Sequence, residues 1–150
     1  FYVIESLYSH YEHSHYIEHL DKTRAILEAK YPEYIPAFDK VMAERSGHMF
    51  NMMIMERELL DEYCTWLFDV LFTLENQVDI RNYSYFQGRY CGRVGELILN
   101  VWLCYQVESG RLQKSDIKVL PYLYVERVNW WKKGKQFLRA KFLHEKYEVQ

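Results

Sequence analysis

An almost unbroken apolar run, His48-Met49-Phe50-Asn51-Met52-Met53-Ile54-Met55, is followed at once by an amphipathic pattern from Glu58 to Val78. A run of that length behind the turn residues Ser46-Gly47 predicts a buried strand feeding a helix. In the helix, Leu59, Tyr63, Trp66, Leu67, Val70, Leu71, Leu74 and Val78 recur every three or four residues and form one apolar stripe. Asn51 places an uncharged amide inside the strand. Left without a partner, such a group costs roughly 1–3 kcal/mol. Asn51 is therefore either a satisfied core residue or a ligand contact.

The flanking sequence supplies further elements. Residues 1–20 are rich in Tyr and His without clean periodicity and read as a loop or short helix. Asp21 can cap a helix to Lys30, which Tyr31-Pro32 ends because the residue before proline is driven out of the helical region. A second short helix is expected over 33–43, with Pro36 tolerated in its first turn. Ser84 precedes another helix whose stripe includes Leu97, Ile98, Val101, Trp102 and Tyr105. Val119 to Val125, with Pro121, reads as an edge strand. Residues 130–147 read as a basic amphipathic helix. The expectation is one helix-rich α/β unit over 1–126 and a basic helical segment within 127–150.

Composition narrows the function classes. At 49% hydrophobic and 17% aromatic residues, the 150-residue chain is not a disordered one. It holds no uncharged apolar run of about 20 residues, so no membrane-spanning helix is expected. Phe1 is not an initiator and no signal peptide follows it, which suggests the C-terminal part of a longer protein. Cys64, Cys91 and Cys104 are widely spaced and odd in number, which fits core thiols in a reducing cytoplasm rather than a zinc ribbon or disulfide framework. Residues 127–150 carry seven Lys/Arg against Glu145 and Glu148, a net of +5. The whole chain carries −2, so the remainder carries −7. That acidic body argues against a nucleic-acid partner.

Three constellations can carry chemistry. His10, His13, His15 and His19 fall within ten residues, interleaved with tyrosines. On a continuous helix His15 and His19 would share a face and could ligate a metal, although HExxH is absent. The second constellation is Tyr85, Gln87, Arg89, Gly92, Arg93 and Glu96. There Gly88, Gly92 and Gly95 line one helical stripe, at a cost of about 0.8–1 kcal/mol each in a helix interior. The stripe implies a close neighbour, either a packed element or a ligand. Glu96 lies in an otherwise apolar helix and is either a general base or the partner of Arg89 or Arg93. The third is Trp130-Trp131-Lys132-Lys133-Gly134-Lys135, which suits either docking on the domain or a membrane–water interface. No DxD, GxGxxG, GxxxxGK or GxSxG motif occurs.

Four ordered blocks, 10–42, 47–80, 83–103 and 118–142, carry a family resemblance. The clearest, GHMFNMMIMERELLDEYCTWLFDVLFTLENQVDI, resembles the central signature of a bacterial family of unknown function whose members look like glycosyltransferases of capsular and exopolysaccharide synthesis. Within its pattern His10, Tyr11 and His15 match a His-Tyr with a later His, while His13 and His19 do not. Gln87, Arg89, Gly92 and Glu96 match, but Gly95 and Leu97 replace a Ser and an Arg, so a positive charge beside Glu96 would have to come from Arg93.

The resemblance implies the C-terminal part of a GT-A-like nucleotide-sugar transferase fold. It implies transfer of a hexose or galactofuranose from a nucleotide donor to a growing glycan or lipid-linked acceptor. Glu96 is then the catalytic candidate, with His10, His15, Asn51, Gln87 and Arg89 binding substrate. A divalent Mn or Mg ion would have its ligands outside this chain. The location would be cytoplasmic, with peripheral contact at the inner membrane face through 130–147. The rival expectation is a non-catalytic helical module that binds a membrane surface or partner protein through the same residues.

Overall fold

A computed structural model describes residues 4–50 and 52–121, together with Trp131, Gly134, Lys135 and Arg139. Five helices carry the described fold: α1 (Leu7–Ser14), α2 (Glu18–Lys30), α3 (Ile35–Ala43), α4 (Arg57–Glu75) and α5 (Tyr90–Glu108). Short 3₁₀ turns lie at Pro32–Tyr34, Gln87–Arg89 and Lys114–Asp116.

Local chemistry explains the boundaries. Ser6 Oγ accepts the Ser9 N–H at 3.1 Å and caps α1, while the Leu7 N–H bonds the Glu44 carbonyl at 2.8 Å. The chain turns extended at His15, and α2 begins at Glu18, three residues before the expected cap. Asp21 sits inside that first turn and accepts from the Tyr8 hydroxyl at 2.7 Å. Pro32 opens a 3₁₀ turn and Pro36 lies in the first turn of α3, where a missing N–H costs nothing. Ser84 Oγ accepts the Gln87 N–H at 3.2 Å, so it caps the 3₁₀ turn that leads into α5.

The long helices α4 and α5 pack on each other, α2 lies against α4, and α3 against α5. The predicted α4 stripe points inward: Tyr63, Trp66, Val70 and Leu74 are buried, as is Val78 beyond the helix end. They meet Phe38 and Val41 of α3 and Ile98 and Trp102 of α5 in one core. Surface ion pairs link the helices, including Arg24 with Asp39 at 2.8 Å and Lys40 with Glu108 at 2.6 Å. Such exposed pairs each contribute about 0–1 kcal/mol, so the core decides stability.

The α/β expectation is corrected. Among the described residues there is no strand, and the described fold is helical. Residues 48–50 and 52–55 are irregular and in part at the surface: Met52 is 70% and Ile54 93% exposed. Alternation is present, since Met49, Met53 and Met55 turn toward the core while Phe50, Met52 and Ile54 face outward. Periodicity marks an extended backbone, but a strand also needs a paired ladder, and none forms among the described residues. The proposed edge strand has no strand geometry over 119–121, and its remainder lies outside the described residues. Most of the basic helix at 130–147 also lies outside them, with Trp131, Gly134, Lys135 and Arg139 all exposed. No helix among the described residues is long and apolar enough to cross a membrane.

Candidate functional site

The bend between α1 and α2 meets the loop before α5 at a junction of histidines and tyrosines. His15, at the end of α1, places Nδ1 3.1 Å from Gln87 Oε1. Gln87 is 1% exposed, and its Nε2 donates to the Ser14 carbonyl at 3.3 Å. That donation fixes the amide orientation, so Oε1 accepts and His15 Nδ1 carries the proton. Burial pushes the His15 pKa down to about 4, with the nearby Arg93 adding to the effect, and the ring is neutral at pH 7.

His19 lies in the first turn of α2 and is fully buried. Its Nδ1 is 3.0 Å from the Tyr11 hydroxyl and its Nε2 is 3.0 Å from the Tyr83 hydroxyl. Tyr83 gives its single proton to Glu18 Oε1, which can only accept. The Tyr83 oxygen must therefore accept from His19 Nε2–H, leaving Nδ1 as the acceptor for Tyr11. The chain of bonds runs from Tyr11 through His19 and Tyr83 to Glu18, and Lys22 Nζ holds the other Glu18 oxygen at 3.0 Å. Burial lowers the His19 pKa to about 4, while the Tyr83 and Lys22 bonds hold the Glu18 carboxyl below its usual range. Tyr90 stacks on His19 with centroids 4.5 Å apart, and Tyr16 stacks on Tyr83 at 4.6 Å.

The first turn of α5 supplies the charged side of this junction. Arg93 stacks its guanidinium 4.2 Å from the Phe86 ring centroid and donates to the Phe86 carbonyl at 2.6 Å. Glu96, one turn further, is half-buried. Burial raises its pKa, opposed by the positive charges of Arg93 and Arg89. No hydrogen bond or ion pair reaches its carboxylate among the described residues. It is thus a partly buried carboxylate with two guanidinium groups in its field.

With this geometry established, the relatives can be compared. Residues 1–107 match the family described as a domain of unknown function, DUF4422. The chain belongs to that family. No curated protein matches it. Among solved structures it is similar to the apo form of WbbM, a bifunctional glycosyltransferase, at 30% identity and a TM-score of 0.68. The similarity covers 71% of this chain and 19% of that one, so the chain corresponds to about a fifth of the larger protein. This DUF4422 chain is therefore related to part of a glycosyltransferase.

Of the residues singled out from sequence, the fold joins His15 to Gln87 and places Arg89 and Glu96 on the adjoining end of α5. His10 turns elsewhere: its Nδ1 lies 3.4 Å from Glu5 Oε2, and His13 Nδ1 lies 3.2 Å from Glu5 Oε1. Asn51 lies outside the described residues. His15 and His19 do not share a helical face, because the chain bends between them and each ring bonds different partners. No group of three or more His, Cys, Asp or Glu capable of holding a metal ion forms among the described residues. At Gly88 and Gly92 an added Cβ would meet nothing within 4 Å; at Gly95 it would meet Leu71 Cδ1 at an ordinary 3.7 Å. Close approach does not explain the stripe among the described residues.

Sequence reasoning passed over Asn100 and the His19–Tyr83 pair. Asn100 Oδ1 accepts the His48 N–H at 2.7 Å, and its Nδ2 donates to the His48 carbonyl at 2.9 Å. Gly47 lies close beside it: a Cβ there would sit 3.0 Å from Asn100 Oδ1, a tight contact that the amide would have to yield to. The signal was present: an amide inside the apolar run Leu97-Ile98-Leu99-Asn100-Val101-Trp102 demands a partner as strongly as one in a strand.

Proposed function

We propose that this DUF4422 chain forms part of a glycosyltransferase that moves a sugar, a hexose or galactofuranose, from a nucleotide donor to a growing capsular or exopolysaccharide glycan. The observation that carries the reading is the match of 71% of this chain to a segment of a bifunctional glycosyltransferase at 30% identity. The junction's chemistry agrees with it. Glu96, held partly out of water, serves as the base that takes the acceptor hydroxyl proton. Arg89 and Arg93 offset negative charge on the departing diphosphate. Gln87 and His15, buried and locked to each other, hold the α1–α2 bend against the start of α5 that carries these groups.

A divalent ion, Mn or Mg, would be held by residues other than those described. The acceptor is a glycan or a lipid-linked sugar. Trp131, 91% exposed among basic neighbours, supports peripheral membrane contact through 130–147 at the cytoplasmic face.

Calorimetry with a panel of nucleotide sugars, with and without Mn²⁺, tests the reading on this chain and on any longer natural product that carries it. Saturable binding weakened at least about tenfold by Arg89→Ala, with turnover lost in Glu96→Gln at unchanged thermal stability, is expected. Absence of binding to every donor in both forms, together with tight association to anionic vesicles, would replace it with the membrane-binding module.

A further inference from the structure

A second cleft, of about 550 Å³, opens at the opposite end of α5 between the turn at Tyr31–Tyr34 and the first half of α4. Trp102, Tyr105 and Gln106 line it from α5, about 14–20 Å along the helix from Arg93 at 1.5 Å per residue. Its floor is a continuous set of rings. Tyr34 stacks on Trp66 with centroids 4.9 Å apart and meets Tyr105 at 4.0 Å, while Tyr31 approaches Trp66 edge-on at 6.4 Å. Tyr31 and Tyr105 are half-exposed and offer ring surface to an occupant.

The rim is polar and negative. Asp61, Glu62 and Glu33 face the cleft against a single guanidinium, Arg111, which is engaged by Glu62 at 2.5 Å. Gln106 is 3% exposed and reaches the Tyr34 hydroxyl only at 3.5 Å, the long limit of a hydrogen bond. The Trp66 indole N–H, on a side chain 5% exposed, has no acceptor among the described residues.

This combination selects a ligand class. A phosphate or nucleotide would meet three carboxylates whose neighbouring cations, Arg111 and the Arg57 that lies 3.8 Å from Asp61, are already engaged by Glu62 and Asp61, and would be repelled. A purely apolar occupant would strand the carboxylates and the amide out of water. A neutral saccharide satisfies both sides: its C–H face lies on the rings, and its hydroxyls donate to Asp61 and Glu62 and accept from Arg111 and Gln106.

We propose that the cleft between Trp66, Tyr105 and Asp61 is a binding subsite for one or two neutral sugar rings, separate from the α1–α5 junction. It stands whether or not this chain takes part in transfer.

Saturation-transfer NMR on the full chain, with lactose, maltose and mannobiose as probes and UDP as the charged comparison, tests it. At least one disaccharide is expected to bind saturably in the millimolar range. Binding should weaken at least about fivefold in Asp61→Asn and in Tyr105→Ala, and remain unchanged in Arg89→Ala. Asp61 is exposed, so its variant reports even if loss of the Tyr105 ring disturbs folding. No disaccharide binding up to about 50 mM overturns the proposal. So does binding indifferent to Asp61→Asn, or UDP competing for the same cleft.

Discussion

Acidification from pH 7 to pH 5 is expected to destabilise this chain through two histidines that the fold keeps neutral. His15 and His19 have an ordinary pKa of 6.5, and burial lowers each to about 4. Between those values the unfolded chain binds more protons than the native one. Stability is therefore full above pH 6.5 and falls as the pH drops toward 4. At pH 5 a shift of that size corresponds to about 2 kcal/mol for each histidine. Water penetration and local rearrangement relieve about half of such a burial penalty. The two together should cost about 2–4 kcal/mol, a large share of a typical domain's stability. His10, whose pKa burial also lowers, adds in the same direction. The ion-paired carboxylates Asp39, Glu62 and Asp69 are held below their ordinary range, so their contribution is lost in a lower window. Urea unfolding followed by tryptophan fluorescence at pH 7, 6 and 5 measures the slope. His19→Gln retains polar atoms without the titration and should remove about half of it. Equal stability at pH 7 and 5, or an unchanged slope in His19→Gln, would refute the reasoning.

Three further outcomes follow from the packing. Asn100→Ala removes both bonds to the His48 backbone and should cost about 2 kcal/mol by urea unfolding, at roughly 1 kcal/mol per bond. Gly95→Ala places a methyl at ordinary contact distance from Leu71 inside α5, so a gain of about 0.5–1 kcal/mol is expected; a loss would mean something else approaches that backbone. Trp66→Ala should cost about 3–5 kcal/mol and give a broadened or absent thermal transition, because the indole fills the junction of Tyr34, Tyr63 and α5.

Helices were legible where periodicity and packing agree. The stripe from Leu59 to Leu74 needed no knowledge of its partners, because a face apolar every third or fourth residue can only turn inward. The His48–Met55 run misled for a related reason. Alternation was real and directs Met49, Met53 and Met55 to the core, but pairing is a property of a second segment and cannot be read from the first. The α1–α2 bend was illegible too. Nothing local in His15-Tyr16-Ile17 forces a break, and the Gln87 that holds His15 comes from 72 positions away. A buried amide needs partners wherever it sits: Asn51 lies outside the described residues, whereas Asn100 has both of its partners on the His48 backbone.

The resemblance implies that His10 and His15 bind substrate, and burial decides what His15 can offer one. A histidine assists a phosphate as a cation only when protonated, and His15, with a pKa near 4, is neutral throughout the physiological range. It can offer a hydrogen bond but no charge. Formal positive charge at the junction resides in Arg89, which is exposed at the start of α5, and in Arg93, which the Phe86 ring and carbonyl hold in place. Binding of a nucleotide sugar such as UDP-glucose, whose diphosphate is esterified at both ends and does not titrate between pH 7 and 6, should therefore fall at least about tenfold in Arg89→Ala and weaken with added salt. It should change little in His15→Gln. It should also be indifferent to a drop from pH 7 to pH 6, where both junction histidines stay neutral and a diphosphate engaged by guanidinium groups keeps its partners. Tighter binding at pH 6, abolished by His15→Gln, would mean that a titrating imidazole supplies the charge after all, and the assignment to the arginines would fail.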